Sequence, residues 1–299
     1  MKSIHKSVLL KETIDGLELV EGDVVLDATL GGAGYTKEML ARMKDKIVIV
    51  GIDADEDAVL RAKEEIEKKH GNAVFVLENF RHLDKALPSV GILSVSKAVF
   101  DLGLSSDELE LSGRGFSFKR EEPLLMTLSK NPDKHALTAY DVVNSFEREN
   151  LEAIIRGYGE EKFAGRITRA IVEAREIEPI KTTTVLAEVI KKAVPRFYRI
   201  GKIHPATKTF QAIRITVNDE LTALHEALEK AFVYLRPGGR LAVVSFHSLE
   251  DRIVKDYFRN LKNEGKASLV NKKPIVPTQS EIKENPRSRS AKLRIIEKI

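Results

Sequence analysis

The stretch Val24-Val25-Leu26-Asp27-Ala28-Thr29-Leu30-Gly31-Gly32-Ala33-Gly34-Tyr35-Thr36 joins a short apolar run to a glycine-rich turn, and a helical pattern follows through Met39, Leu40 and Met43. An apolar run, glycines and then a helix form the strand–turn–helix entry of a ligand-binding α/β sheet. Glycine lets the backbone come close to a ligand, and the first amides of a helix have no partner inside it. A nucleotide-like ligand is the expectation; an ordinary tight turn is the alternative.

Outward from this turn the pattern repeats. Lys46 to Asp53 reads as a second buried strand and Asp57 to Lys69 as a charged amphipathic helix. Ala73 to Leu77 and Ala98 to Asp101 read as a third and a fourth strand. Strands alternating with helices imply a parallel sheet with helices on both faces. From Asp107 to Ile215 the strand signals fade, and Thr138 to Tyr158, Glu160 to Glu176 and Thr183 to Ala193 carry helix-period apolar positions. The sheet pattern then resumes. Glu220 to Leu235 is a long helix stopped by Pro237-Gly238-Gly239, Arg240 to Phe246 a fifth strand, and Leu249 to Leu261 a helix. Ala267 to Val276 and Leu293 to Ile299 read as closing strands. The expected fold is a doubly wound, Rossmann-like α/β sheet domain, residues 1–108 and 216–299, with an all-helical domain inserted over 109–215.

Asp53 ends the second strand about 20 residues past the glycines, where a carboxylate can accept hydrogen bonds from both hydroxyls of a ribose. That geometry serves NAD and S-adenosyl-L-methionine alike. A dinucleotide turn needs G-x-G-x-x-G, and counting from Gly32 and Gly34 puts Lys37 at the third glycine position, which weakens pyrophosphate binding. The fourth strand ends in Asp101-Leu102-Gly103-Leu104-Ser105-Ser106, at the carboxyl edge where such sheets bind ligands. A turn-capping role for Asp101 is the alternative there.

The 299 residues, 42% hydrophobic and 31% charged, hold no apolar run near the roughly 20 residues of a membrane span, so a cytoplasmic protein without membrane contact is expected. The absence of cysteine excludes disulfides, thiolate metal sites and cysteine nucleophiles. Seven scattered histidines lack ligand spacing, so no metal site is expected. A net charge of +4 is too small to argue nucleic-acid binding from totals, and local clustering must decide it. Between Lys181 and Arg214, the residues Lys181, Lys191, Lys192, Arg196, Arg199, Lys202, Lys208 and Arg214 face a single acid, Glu188, with Phe197 and Tyr198 inside the run. Basic residues with interleaved aromatics suit phosphate contact and base stacking; a solvated helix face is the alternative. Arg287, Arg289, Lys292 and Arg294 form a smaller basic cluster.

These residues closely resemble the bacterial 16S rRNA (cytosine-N4)-methyltransferase family, also known as the MraW family. The resemblance covers nearly the whole chain. It rests on His5 to Glu12, the glycine turn, Asp101 to Ser106, Arg114 to Phe118, Tyr158 to Glu161, His204 to Ile215, Ser245 to Arg252 and Asn285 to Ser290. It implies a class I methyltransferase sheet and S-adenosyl-L-methionine as donor. It also implies N4-methylation of a decoding-centre cytosine of 16S ribosomal RNA, within the small ribosomal subunit or as free RNA, an alternative that stays open. By position it implies cofactor contacts at Gly31, Gly32, Ala33, Gly34, Tyr35, Asp53, Phe80, Asp101 and Glu108, the last standing where many relatives have Gln. Leu125 and Thr127 stand where the family usually has Asp and Arg. Oligomeric state, a homodimer included, stays open, as do a non-enzymatic ribosome-assembly factor and an NAD-dependent oxidoreductase.

Methyl transfer from a sulfonium needs an in-line approach, so positioning and desolvation can supply most of the effect. The exocyclic amine of cytosine is a poor nucleophile, and a group accepting its proton would localise the lone pair. Asp101, or a carbonyl between Leu102 and Ser106, is the candidate acceptor, and His247 at the end of the fifth strand could face the substrate. Ser248 with Asp251 also suggests a helix cap there. His5 and His204 read as ordered polar contacts. Methylation at carbon 5 ordinarily uses a cysteine adduct that this chain cannot form, so nitrogen or oxygen is the expected acceptor atom. Lys191, Lys192, Arg196, Arg199, Lys208 and Arg214 are the candidate RNA contacts.

Overall fold

The computed structural model describes residues 6–132, 135–201 and 203–299, so His5 and Lys202 lie outside the described residues. The chain divides into two compact units, residues 1–105 with 221–299, and residues 106–220. Glu108 and residues 216–220, read from the sequence with the sheet, lie in the second unit.

The first unit opens with α1 (Leu10–Leu17), β1 (Val24–Asp27), α2 (Gly34–Met43), β2 (Val48–Asp53), α3 (Glu56–Ala62), β3 (Ala73–Leu77), α4 (Leu83–Ser89) and β4 (Val95–Asp101). The second unit follows with α5 (Ser106–Leu111), α6 (Ala139–Ser145), α7 (Arg148–Gly157), α8 (Ala164–Ile177), α9 (Thr183–Ala193), α10 (Arg196–Arg199) and α11 (Thr207–Asn218). The first unit then closes with α12 (Glu220–Tyr234), β5 (Leu235–Ser245), α13 (Ser248–Asn263), β6 (Ala267–Leu269), α14 (Gln279–Glu284) and β7 (Lys292–Lys298).

The seven strands form one sheet in the order β3-β2-β1-β4-β5-β7-β6. The first five are parallel, and β7 runs antiparallel to both β5 and β6. Side chains alternate across the sheet with the period of two that strands impose. Leu26, Ala98, Phe100, Leu241 and Val243 join a core with α4, α12 and α13. Val25, Val99, Ala242 and Val244 join a second core with α1, α2 and α3. Burial on both faces explains why these strands read as continuous apolar runs.

Two expectations for the sheet need correction. Pro237-Gly238-Gly239 does more than end α12: it lies within β5, where the ladder to β4 shifts between Val95–Leu235 and Lys97–Arg240. The closing strand expected over 267–276 pairs only over Ala267–Leu269, and Ile275 adds one isolated bridge to Leu293. The side chain of Asn271 interrupts it, accepting from the Ile295 amide at 2.7 Å and donating to the Leu293 carbonyl at 2.9 Å. Pro274, without an N–H, cannot restore the ladder.

In the second unit α8 packs against α7 and α9, and α11 against α6 and α7. Leu151, Ile155, Ile167, Ile171, Leu186, Ile190 and Ile213 are fully buried, which is the helix-period apolar set expected there. Thr138 and Asp141 form a capping box that starts α6, and the extended Phe146 ends it, so the single helical stretch expected over 138–158 is two helices. Thr127, where the family pattern has Arg, is buried with its hydroxyl on the Ser129 carbonyl at 3.0 Å, whereas Leu125 is exposed.

Candidate functional site

The strand order reverses at β1, whose neighbours β2 and β4 belong to opposite halves of the sheet, and the crevice at the carboxyl ends of such strands is where doubly wound sheets bind ligands. Asp27, Asp53 and Asp101 all stand at those ends. The glycine turn is held there by strand-end carboxylates and hydroxyls. Gly31 has φ of +48°, a conformation that side-chain-bearing residues rarely adopt, and its amide donates to Asp53 Oδ2 at 2.7 Å. The other Asp53 oxygen accepts from the Asp55 amide at 2.8 Å. A carboxylate can accept about four hydrogen bonds, so both oxygens keep capacity for ribose hydroxyls. Burial pushes the Asp53 carboxyl up from 3.8 to about 6, against the lowering effect of the two amides.

Ala33, also left-handed at φ 57°, turns the chain into α2, and the Lys37 amide bonds back to the Ala33 carbonyl at 2.9 Å. The amides just before Lys37 are therefore the end groups of the helix. A Cβ on Gly34 would collide with the Ser7 hydroxyl, so the N-terminal segment lies directly against the turn. Tyr35 is buried, and its hydroxyl donates to the Val8 carbonyl; any contact with a ligand is left to its backbone. Lys37 pairs with Glu65 at 2.8 Å and reaches the Gly32 carbonyl at 3.3 Å, so its side chain folds back along the turn where a dinucleotide site would have its third glycine.

Two residues of the opening stretch that carry no individual role in the sequence reading support this arrangement. The Thr29 hydroxyl accepts from the Asp101 amide at 2.6 Å and ties the end of β4 to the chain leaving β1. Asp27, buried below the turn, accepts from the Thr36 hydroxyl at 2.7 Å, and burial raises its carboxyl to about 7. Phe80 follows β3, partly buried and edge-on to Phe100 at 6.0 Å. Glu108 is buried on α5 of the second unit, and its carbonyl accepts from Ser112 at 2.6 Å.

His247 caps α13. Its Nδ1 accepts from the Glu250 amide at 3.3 Å, and Glu250 Oε2 accepts from the His247 amide at 3.2 Å and the Phe246 amide at 2.8 Å. The capping pair expected at Ser248 and Asp251 is thus His247 and Glu250, one residue earlier. Asp251 instead holds Lys292 and Arg294, each at 2.8 Å, which takes two members out of the small C-terminal basic cluster.

The basic run of the second unit is less open than its sequence reads. Arg214 forms a two-point pair with Glu220 at 2.7 and 2.8 Å, both side chains 16% exposed. Arg199 donates to the carbonyls of Val194 and Lys192 and so caps the end of α9. Lys208 donates to the Glu160 carbonyl at 2.8 Å, and Lys191 pairs with Glu188 at 3.0 Å. Lys192 and Arg196 are exposed. His204 stacks on Phe118 at 4.5 Å and accepts from the Ala206 amide, and burial lowers its pKa.

The sheet order with its antiparallel β7, together with a glycine turn bonded to the acid of β2, defines a Rossmann-like class I methyltransferase, the class that uses S-adenosyl-L-methionine. Within that class the chain belongs to the MraW methylase family, whose model matches residues 2–299. It is 43% identical to a ribosomal RNA small subunit methyltransferase H of Paenibacillus sp. (strain JDR-2), over 99% of each chain. It is 45% identical to the protein of that name from Sulfurihydrogenibium sp. (strain YO3AOP1), over 97% of this chain and 98% of the relative. Among solved structures, an rRNA methylase from Streptococcus thermophilus aligns over 98% of both chains at 14% identity, with a TM-score of 0.47. Among the described residues, no helix is long and apolar enough to cross a membrane.

Proposed function

We propose that this chain transfers a methyl group from S-adenosyl-L-methionine to N4 of a decoding-centre cytosine of 16S ribosomal RNA, in the cytoplasm and on the small ribosomal subunit. The observation that carries the reading is the pair of ties at the switch point, Gly31 to Asp53 and Asp101 to Thr29. The first places a hydrogen-bond-accepting carboxylate beside a glycine turn, and the second fixes a carboxylate at the neighbouring strand end. The donor set fits the cofactor: Asp53 for the ribose hydroxyls, the end amides of α2 for its carboxylate, and the Phe80 ring for the adenine. Bound there, S-adenosyl-L-methionine supplies an electrophilic methyl group.

The chain's own residues then have two tasks. The first is to hold the acceptor amine in line, which turns a bimolecular reaction into an oriented one. The second is to take the amine proton, for which Asp101 or a carbonyl of Leu102 to Ser106 is suited. The absence of cysteine closes the covalent route to carbon 5. Family membership and relatives named as small-subunit ribosomal RNA methyltransferases support the RNA substrate. Exposed Lys192 and Arg196, with Lys191 beside them, suit phosphate contact in the second unit. Mass mapping of ribosomal RNA nucleosides from cells with and without the protein tests the reading. The expected result is loss of one N4-methylcytidine; loss of 5-methylcytidine alone would overturn it.

A further inference from the structure

Three aromatic rings of the second unit meet at one ammonium. Lys162 Nζ lies 5.1 Å from the ring centre of Phe163, 5.3 Å from that of Tyr198 and 5.8 Å from that of Phe197. Phe163 meets Tyr198 edge-on at 5.0 Å and Phe197 at 6.2 Å. The two neighbours in sequence part company here. Tyr198 faces inward: its hydroxyl donates to Glu161 Oε2 at 2.6 Å, and Glu161 is buried. Phe197 is 63% exposed, too open for its ring to be explained by core packing.

We propose that Phe197, backed by Lys162, is a stacking platform for one unpaired base of the RNA substrate, with the ammonium taking an adjoining phosphate. The proposal rests on the reading of this chain as an RNA methylase and adds where, and in what state, the RNA is held. A nucleotide offers a π-face next to a negative charge, and this cluster offers an open π-face next to a positive one. The surrounding charge has the right sign. Arg196 precedes the ring in sequence and Lys162 lies over it, both exposed, and Lys192 is exposed in the last turn of α9. Glu161 is engaged with the Phe163 amide and Tyr198, and Glu188 is paired with Lys191. Bases inside a duplex are already stacked, so the platform selects single-stranded or splayed-out nucleotides. Stacking tolerates any base, so it contributes affinity and strandedness, with little sequence preference.

The test uses the intact protein and a short fluorescein-labelled single-stranded RNA, with 2-aminopurine placed along it in parallel probes. Phe197→Ala and Phe197→Leu should weaken single-strand binding by about 5- to 150-fold, the range for removing one base stack. Phe197→Trp should restore it, and the wild type should quench one 2-aminopurine position that Phe197→Leu does not. Lys162→Gln should lower the slope of log affinity against log salt by about 0.7. If Phe197→Leu binds and quenches like the wild type, the platform is wrong, while the RNA reading stands. If the wild type binds no RNA at all, both fall together.

Discussion

The glycine turn of the sheet unit and the basic run of the helical unit are built in opposite ways. At the turn, the chain presents backbone amides and short side chains fixed by strand ends: Gly31 to Asp53, Asp101 to Thr29, Thr36 to Asp27. In the basic run the candidates are long side chains, and several are already engaged, with Arg214 on Glu220, Arg199 on the end of α9 and Lys208 on the Glu160 carbonyl. A ligand at the first surface meets groups that are already in place. A ligand at the second must order Lys191, Lys192 and Arg196, at an entropic cost for each side chain. The first arrangement suits one small molecule of fixed shape, and the second suits a flexible polyanion.

The contrast is open to measurement. Asp101→Asn removes the candidate proton acceptor and should lower single-turnover methyl transfer by about 10²- to 10⁴-fold, with a far smaller effect on cofactor affinity by calorimetry. Equal losses in both would make Asp101 a cofactor contact only. Asp53→Ala should weaken the cofactor by about 1 to 3 kcal/mol, the range for charged hydrogen bonds. The ionised carboxylate is the better acceptor and its pKa is raised to about 6, so wild-type affinity should fall as pH drops through about 6. Asp53→Asn should show no such fall, and a pH-dependent fall that persists in this variant would assign the titration to another group.

Arg214→Leu should lower unfolding free energy by about 1 to 2 kcal/mol in denaturant titrations, the lower part of the range for charged hydrogen bonds. The salt slope of RNA binding should be unchanged in that variant; a reduced slope would return Arg214 to the RNA surface. Replacing Lys191, Lys192 and Arg196 together with Gln should have the smallest effect on the folded protein. It should lower the salt slope by about 0.7 to 0.9 for each phosphate that is no longer neutralised, and leave cofactor affinity unchanged. An unchanged slope in filter binding would make this stretch a solvated surface.

The same contrast explains what the sequence discloses. β3 and α9 appear at Ala73–Leu77 and Thr183–Ala193, as the period and the flanking residues indicate, because their pattern is local. The candidate site at the turn is legible for a related reason: glycine and a strand-end acid are tied to backbone geometry, and geometry leaves a mark on residue choice. α1 is not legible, because the Leu9 amide at its start is satisfied by Glu281 Oε1 at 2.7 Å, far along the chain. Thr29 gives no sign of its role, since its partner lies at the end of β4. Counting charges along Lys181 to Arg214 finds one acid, but Glu178 and Glu220, which pair with Lys181 and Arg214, lie outside that window, and Lys208 is held by a backbone carbonyl, that of Glu160. A charge count along the chain cannot register them.

The position of the helical unit between β4 and β5 also orders events in time. Asp101 pairs with Val244 in the central ladder, and the whole insert separates them along the chain. Bringing distant strands together costs loop-closure entropy before any pairing repays it, whereas helices packing on sequence neighbours form quickly. The helices of the insert should therefore condense ahead of the β4–β5 junction, and pulsed hydrogen exchange that protects β5 before those helices would overturn this order. Until that junction forms, β4 is a bare edge of buried-type residues, Ala98-Val99-Phe100. A variant that destabilises the insert should therefore show its defect first as reduced yield of folded protein, with the turn and its carboxylates intact.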